Sequence, residues 1–324
     1  MEIMEMMKTA RTPYELNCKP GDKVLIIADT RTEPLVWQAF GAAAKELGLI
    51  YTIAIMENLP YHHAEPTPQI ADAMMHADVV HLVTHKGLVH CNACHEAMKN
   101  KVKIIASEQI TVDMLREGGA TADYHEMNKV GRRIFEILCA GETYELYSKY
   151  GLDFHSSIKG RSSWLVAGIV FEQPAMDLLA SGFPDGEVGM SPIEDTEEGV
   201  VVWDLSAHQL GLLDKPIKMK VEKGWVKSIE GGKSADDLKR YLDEHGDEGA
   251  WRIGEASLGI NPKCRVTGLM REDKKIAGCS HIALGMNTDT GGIVASKIHL
   301  DGVVKKVTCV VDGNKIIEDG KILV

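Results

Sequence analysis

The feature that most restricts the fold is the alternation of apolar strands with amphipathic helices in the first hundred residues. The segment KVLIIA at 23–28 is apolar almost throughout, which is typical of a strand buried on both faces of a parallel sheet. Further strands are predicted at 51–56, 79–83 and 103–106, and helices at 1–12, 37–47, 69–76, 88–100 and 127–138. This order predicts an α/β fold whose N-terminal domain, residues 1–142, is a doubly wound parallel sheet. No GxGxxG motif follows the first strand, so the pattern gives no sign of a dinucleotide site.

The pattern changes after Gly141. Short alternating strands and glycine turns dominate the rest of the chain, as in VEKGWV at 221–226. One amphipathic helix is predicted at 235–245, with Ser234 as its N-cap. We therefore expect a second domain at 143–324, a β-rich α+β domain that carries a metal site.

Residues 251–302 concentrate oxygen and nitrogen donors in a segment that is otherwise rich in glycine and apolar side chains. His299 and Asp301 are two residues apart, so a strand there places both side chains on one face. His281 lies in another strand-like run, and Glu255 follows a glycine that allows a close backbone approach. Burying such groups unpaired costs on the order of several kcal/mol, whereas together they suit a divalent metal ion.

Two other segments supply candidate site residues. The turn GFPDGEV at 182–188 presents Glu187, a fifth possible metal ligand. Three histidines follow a predicted strand end at 85–95, and His90 is the predicted substrate contact. The same segment contains CNACH, the spacing of covalent c-type haem attachment. That attachment takes place outside the cytoplasm and we expect no export signal here, so we interpret 88–100 as a helix instead.

The composition disfavours several classes of partner and location. The 324 residues carry a formal net charge of -11, and an acidic surface repels nucleic acid and anionic lipid. No apolar run is long enough to cross a membrane, and the acidic N-terminal segment does not resemble a secretory signal. Seven cysteines at irregular spacing do not indicate a disulfide framework. We expect a cytoplasmic protein that binds neither nucleic acid nor membrane.

Four ordered motifs resemble the thermophilic aminopeptidase T/S family of metallopeptidases. They are FPDGEV, RIGEASLGIN, EDKKIAG followed by SHIALG, and IHLDG, within a similarity that extends over 153–324. That family builds a two-metal site from a Glu of the PxGE turn, a Glu of the GE segment, the His of HIALG, and the His and Asp of HxD. The resemblance carries these ligand roles to Glu187, Glu255, His281, His299 and Asp301. It implies two ions of Zn, Mn or Co, with Glu187 or Glu255 as the general base.

One position departs from the peptidases and points to another branch of their superfamily. The peptidases have a Tyr after HIALG, where this chain has Thr288 in GMNTDTGG. The 2,5-dihydroxypyridine 5,6-dioxygenases share the HxD pair and resemble this chain in EKGWVKSIEGG, in NTDTGG and in GLDFHSS around His155. Those enzymes hold one Fe(II), with a His in place of Glu255, and they lack the PxGE Glu and the HIALG His. The resemblance implies that His90, His155 and Thr288 contact the substrate.

Three hypotheses follow. The leading one is a metal-dependent hydrolase, with two divalent ions, that acts on an amide or amine of a small cyclic or aromatic substrate or of a short peptide. The alternative is an Fe(II)-dependent ring-cleaving dioxygenase, because His281, His299 and Asp301 by themselves make a 2-His-1-carboxylate set. The third is a binding protein on an enzyme scaffold, which the retained ligands disfavour. Both related branches form oligomers, so we expect a homo-oligomer, most simply a dimer.

Overall fold

The computed structural model describes residues 2–171 and 179–324, and the elements below lie within those residues. The α-helices are α1 (Glu2–Asn17), α2 (Pro34–Glu46), α3 (Pro68–Met74), α4 (Asn92–Lys99), α5 (Val112–Glu117), α6 (Tyr124–Ala140), α7 (Lys233–His245) and α8 (Met270–Asp273). The first ten strands are β1 (Lys23–Asp29), β2 (Ile50–Met56), β3 (Val79–Val83), β4 (Lys103–Ala106), β5 (Thr143–Tyr147), β6 (Asp153–Ser157), β7 (Trp164–Val166), β8 (Ala180–Gly182), β9 (Glu187–Met190) and β10 (Glu198–Trp203). The others are β11 (Ser206–Ala207), β12 (Gly211–Leu212), β13 (Ile217–Glu222), β14 (Trp225–Glu230), β15 (Ile253–Gly259), β16 (Ser280–Gly285), β17 (His299–Val304), β18 (Thr308–Val311), β19 (Asn314–Glu318) and β20 (Lys321–Ile322).

The first compact unit contains the residues up to Tyr124 and a return segment that includes β8. Its five strands form a parallel sheet in the order β2-β1-β3-β4-β8. Strand β3 is buried at every residue, as expected of a strand that is covered on both faces. The predicted parallel α/β architecture is therefore confirmed.

Helix α1 is longer than predicted, because it continues through Pro13 to Asn17. Met6, Ala10 and Tyr14 recur at a spacing of four and are each at most 1% exposed, so the buried stripe extends beyond the proline. The Asn17 amide donates a hydrogen bond to the Pro13 carbonyl oxygen and closes the last turn. Packing of the apolar stripe thus outweighs the hydrogen bond that proline cannot make.

The second compact unit contains His125–Leu165 and Gly186–Val324. An antiparallel sheet of eight strands runs in the order β14-β13-β10-β6-β5-β18-β19-β20, and a sheet of seven strands runs β12-β11-β17-β16-β15-β9-β7. This composition confirms the predicted β-rich α+β class. The boundary predicted between residues 142 and 143 remains a prediction; in the structure α6 clusters with the second unit, and β8 belongs to the parallel sheet.

Helix α7 starts two residues before the predicted position, so Ser234 lies inside it. The Asp214 carboxylate accepts hydrogen bonds from the backbone amides of Lys233 and Ser234 and satisfies the start of the helix. Among the described residues, no helix has the length and apolar character that a membrane span requires.

Candidate metal centre

The centre is built on one face of the seven-stranded sheet, where the order of neighbouring strands is β17-β16-β15-β9. Ala283 of β16 is opposite Glu255 of β15 on one side and opposite Asp301 of β17 on the other. Directly opposed residues of antiparallel strands point to the same face. The two carboxylates therefore flank a methyl group, and the small Ala283 side chain leaves the space between them open.

The two histidines share that face through the two-residue period of a strand. His281 precedes Ala283 by two residues, and His299 precedes Asp301 by two residues. The expectation from the sequence that His299 and Asp301 leave one face of a strand thus agrees with the structure, where that strand begins at His299.

Glu187 reaches the same face at the start of β9, where it is opposite Gly259, four residues after Glu255. The preceding Gly186 has a φ of 150°, and a Cβ there would lie 2.8 Å from the Asn261 Cβ and 3.1 Å from the Asn261 backbone nitrogen. Only glycine fits that position without moving the backbone. The turn is thereby fixed in the conformation that delivers Glu187 to the sheet.

Glu255 connects the two histidines. Its Oε1 lies 2.8 Å from His281 Nε2, and its Oε2 lies 3.3 Å from His299 Nε2. His299 Nε2 is also 3.0 Å from Asp301 Oδ1. One potential ligand atom from each of Glu255, His281 and Asp301 lies within 4.8 Å of the others. Atoms that share an ion at about 2.0–2.3 Å have mutual separations of this size.

Hydrogen bonds behind the donors orient them. His299 Nδ1 lies 2.7 Å from the Met286 carbonyl oxygen, so it carries the proton and leaves Nε2 as the nitrogen that faces the carboxylates. The backbone amide of Asp301 donates to His208 Nδ1 at 3.2 Å. Ser257 donates to Glu255 Oε1 at 2.7 Å. These contacts are of the kind that holds metal-binding side chains in a fixed orientation.

Two lysines that the sequence analysis did not identify also enter the centre. Lys274 Nζ lies 2.8 Å from Asp301 Oδ2, and Lys275 Nζ lies 2.7 Å from Glu187 Oε1. The Lys275 side chain is only 3% exposed. No local pattern in the sequence distinguishes them from a solvated pair, because their burial against acidic partners depends on tertiary packing.

Electrostatics keeps the three carboxylates ionised. Burial raises the pKa of Glu187, but the ammonium groups of Lys274 and Lys275 outweigh burial and lower it below its ordinary value. Burial likewise opposes ionisation of Glu255 and Asp301, yet the neighbouring histidines and, at Asp301, Lys274 hold their pKa values well below the usual range. The role of Glu187 or Glu255 as general base remains a prediction.

A divalent cation fits this set of residues. Two buried oxygen atoms that face the centre, Glu187 Oε2 and Asp301 Oδ1, have no hydrogen bond of acceptable geometry within the described part of the chain. Buried polar atoms are normally satisfied, so atoms of this kind call for an explanation such as a bound ion. Carboxylate oxygens with imidazole nitrogens are the donors of Fe, Mn, Co and Zn sites. Glu255, His281, His299 and Asp301, with Glu187 beside them, are the residues that would hold it.

The predicted substrate contacts are not gathered on this sheet face. His90 belongs to the first unit, in the turn before α4, with its ring 4.9 Å from that of His63. His155 lies in β6 of the eight-stranded sheet, and its Nε2 is 2.7 Å from Asp153 Oδ1. Thr288 is exposed in a 3-10 helix that follows β16. Their role in substrate binding therefore remains a prediction.

The loop that contains Thr288 has an internal reason for its glycines. Gly291 has a φ of 86°, and a Cβ at Gly292 would lie 2.1 Å from the Asn287 side chain. Asn287 accepts a hydrogen bond from the Val294 amide at 2.7 Å. The atoms that come close to Gly292 are thus those of Asn287 in the same loop, and no substrate is needed to explain this glycine.

The CNACH segment lies at the start of α4, where both cysteine side chains are buried.

Comparison with known proteins identifies the family. The family described as NicX, 2,5-dihydroxypyridine 5,6-dioxygenase, matches residues 5–324. A 2,5-dihydroxypyridine 5,6-dioxygenase from Pseudomonas putida KT2440 is 24% identical over 199 residues, which cover 58% of this chain and 56% of that protein. The chain thus aligns with little more than half of this curated relative.

Two solved structures share the whole fold. That of 2,5-dihydroxypyridine dioxygenase from Pseudomonas putida KT2440 superposes with a TM-score of 0.83 at 18% identity, covering 99% of this chain and 97% of the other. That of AmpT from Thermus thermophilus superposes with a TM-score of 0.71 at 16% identity, covering 99% of both chains. These likenesses concern the fold, whereas the family match concerns nearly the whole sequence. The protein therefore belongs to the 2,5-dihydroxypyridine 5,6-dioxygenase family.

Proposed function

We propose that this protein is an Fe(II)-dependent dioxygenase that opens a hydroxylated aromatic or heteroaromatic ring. The observation that carries the proposal is the convergence of His281 Nε2, His299 Nε2 and the Asp301 carboxylate around Glu255 on one sheet face. Two imidazoles and a carboxylate with open positions are typical of non-haem Fe(II) oxygenases. Family membership supports the same choice over the hydrolase that the sequence analysis placed first.

The chain's own residues would hold the ion and orient the substrate. His281, His299 and Asp301 are the proposed Fe(II) ligands, and the Glu255 carboxylate lies next to both histidine nitrogens. Bound iron supplies the one-electron chemistry that lets dioxygen react with an aromatic ring. Both oxygen atoms enter the product and the ring provides the electrons, so the reaction needs no external reductant.

The partly exposed members of the centre mark where a substrate would approach. The side chains of His299 and Lys274 are 27% and 19% exposed, whereas His281 is fully buried. The Lys274 ammonium group offers a positive charge to a deprotonated ring hydroxyl. We keep His90, His155 and Thr288 as proposed substrate contacts, and alanine substitution of each, with KM as the readout, tests them.

The test is oxygen uptake by protein loaded anaerobically with Fe(II). With 2,5-dihydroxypyridine and related hydroxylated rings we expect one dioxygen consumed for each ring opened and no turnover without oxygen. Asp301→Asn, which keeps the shape but removes the charge, should abolish the uptake. Turnover of the ring in the absence of oxygen contradicts the proposal.

A metal-dependent hydrolase is the second candidate, favoured by one specific observation. Glu187 Oε2 lies 3.6 Å from His281 Nε2, so a fifth donor stands beside the four others, as in a two-metal hydrolytic site. The test is hydrolysis of aminoacyl anilides, compared with small cyclic or aromatic amides, with Zn, Mn or Co and without oxygen. Glu187→Gln should abolish hydrolysis but leave a dioxygenase largely active.

A further inference from the structure

We propose that Glu194 is a positioning residue for the metal centre, because it holds the loop 286–298 between β16 and β17 and thereby fixes the ring of His299. The inference rests on the proposed function in one respect, namely that His299 binds the metal ion. It extends that function to a side chain in the segment between β9 and β10, which no motif of the sequence analysis included.

The loop is organised around Asn287, which is only 1% exposed. Its Oδ1 accepts a hydrogen bond from the Val294 amide at 2.7 Å. Its backbone carbonyl oxygen accepts from the amides of Thr290 at 3.1 Å and of Gly292 at 3.0 Å. These bonds close residues 287–294 into a compact turn that should keep its own shape. They do not determine where this turn lies relative to the sheet, so that position requires contacts from elsewhere in the chain.

Glu194 attaches this turn to the rest of the unit. Its Oε1 accepts hydrogen bonds from the Asn287 side-chain amide at 3.1 Å and from the Ile293 backbone amide at 2.8 Å. The Glu194 side chain is 8% exposed, whereas Ile293 is 75% exposed, so the carboxylate lies buried beneath an exposed loop. One oxygen atom thus holds the turn near both of its ends, and hydrogen bonds to a charged acceptor are roughly twice as strong as neutral ones.

Arg161 in turn holds the carboxylate. Its Nη2 pairs with Glu194 Oε2 and donates to the Pro192 carbonyl oxygen at 3.3 Å, while its Nη1 donates to the Gly291 carbonyl oxygen of the same loop. Burial raises the pKa of Glu194, but the Ile293 amide and the Arg161 guanidinium outweigh burial and keep it below its ordinary value. A buried ion pair adds little net stability, because the cost of desolvation offsets the attraction. The orientation that the pair imposes on the loop is the better explanation of its position.

The turn reaches the metal centre through Met286, which directly precedes Asn287. The Met286 carbonyl oxygen lies 2.7 Å from His299 Nδ1 and accepts its proton, so its position determines which ring nitrogen faces the carboxylates. Glu194 thus acts on His299 through two hydrogen bonds that are joined by one peptide unit. Thr288 follows Asn287 on the other side, so the same attachment also holds a proposed substrate contact.

The first readout is the proton on His299 Nδ1 in the whole, metal-free chain, followed by NMR and assigned by its absence from His299→Ala. In the wild type the hydrogen bond to Met286 should make this proton exchange slowly with water. Glu194→Ala removes the acceptor, and Asn287→Asp removes the amide group that Glu194 accepts but keeps the oxygen that Val294 needs. Both variants should lose the slow signal, whereas Glu194→Gln, which keeps an acceptor oxygen, should retain it.

The second readout is the affinity for Mn(II), measured by calorimetric titration. Glu194→Ala and Asn287→Asp should bind Mn(II) about tenfold more weakly, the lower end of the loss expected when groups that orient metal ligands are removed. Asp214→Ala is the matched control, because Asp214 also accepts two backbone amides, those of Lys233 and Ser234, but lies at the start of α7. It should destabilise that helix and leave both readouts unchanged.

A slow His299 signal in both Glu194→Ala and Asn287→Asp overturns the inference, and so does an equal loss of Mn(II) affinity in Asp214→Ala. Asn287→Asp, which leaves the pair of Arg161 and Glu194 in place, decides the outcome if Glu194→Ala folds poorly. Loss of the signal with unchanged Mn(II) affinity would instead show that His299 is not a metal ligand. That result contradicts the proposed function and leaves the role of Glu194 in orienting the ring intact.

Discussion

Ala283 offers the most direct test of how the sheet builds the metal centre. It is fully buried and opposite both Glu255 and Asp301, so its side chain points between their carboxylates. Replacing it with leucine places three more carbon atoms in that gap. A carbon atom must stay about 3.5–4.0 Å from its neighbours, whereas ligand atoms must come within about 2.0–2.3 Å of an ion.

The expected loss for Ala283→Leu follows from these distances. Glu255 and Asp301 can no longer converge, and changes that merely disturb the orientation of ligands already weaken metal binding by about 10–100-fold. We therefore expect metal affinity to fall by at least about a hundred-fold, or roughly 2.7 kcal/mol. Overpacking by itself should cost about 1–3 kcal/mol of unfolding free energy.

The assay pairs calorimetric titration of Mn(II) with thermal unfolding of the apoprotein. Ala256→Leu is the control, because Ala256 is also fully buried in this sheet but lies next to Glu255 and faces the other side. Both variants should unfold at lower temperature, and only Ala283→Leu should lose metal. Equal metal affinity in the two variants would refute the assignment of this face as the metal centre.

Three further predictions concern the site, its surroundings and the assembly. His299→Ala and Asp301→Ala should each abolish activity and weaken metal binding at least about tenfold while the chain stays folded. His155→Ala is the control and should keep its metal. Unchanged metal content in both His299→Ala and Asp301→Ala would contradict the ligand assignment. Burial raises the pKa of Glu197 from 4.5 to about 7, so the folded state keeps a proton that the unfolded chain releases near pH 4.5. The free energy of unfolding should therefore fall as the pH rises from about 4.5 to about 7. Glu197→Gln should therefore raise Tm at pH 8 and have little effect at pH 4, as measured by calorimetry; an equal effect at both would be inconsistent with this titration. Light scattering should give twice the chain mass of 35.5 kDa, and the single-chain mass at micromolar concentration would exclude a dimer.

The regular parts of the fold could be predicted from the sequence because local patterns determine them. Strand β3 has the predicted bounds, and the HxD spacing places His299 and Asp301 on one face. The extension of α1 beyond Pro13 could not be predicted from the proline alone, since it depends on burial of Tyr14. Tertiary packing decided that helix end, where local preference indicated a stop.

The centre itself was only partly predictable. The five donors followed from residue type and motif order, but the role of Ala283 required the register of three strands, which no local pattern specifies. Lys274 and Lys275 resemble a solvated pair in the sequence, and only burial against Glu187 and Asp301 shows that they belong to the centre. The choice between hydrolysis and oxygenation rested on the number of ligands, whereas it is the family match that favours oxygenation.

The register of the sheet has a consequence for how the protein matures. The donors come from β9, β15, β16 and β17, which are far apart in sequence and meet only when those strands pair correctly. A slip of one residue in β16 would turn His281 to the opposite face and remove it from the others. An ion held by His281, His299 and Asp301 would link β16 to β17, and the amides of these strands should exchange hydrogen for deuterium only through global opening once metal is present. Metal uptake would therefore select the chains whose sheet has formed in the correct register.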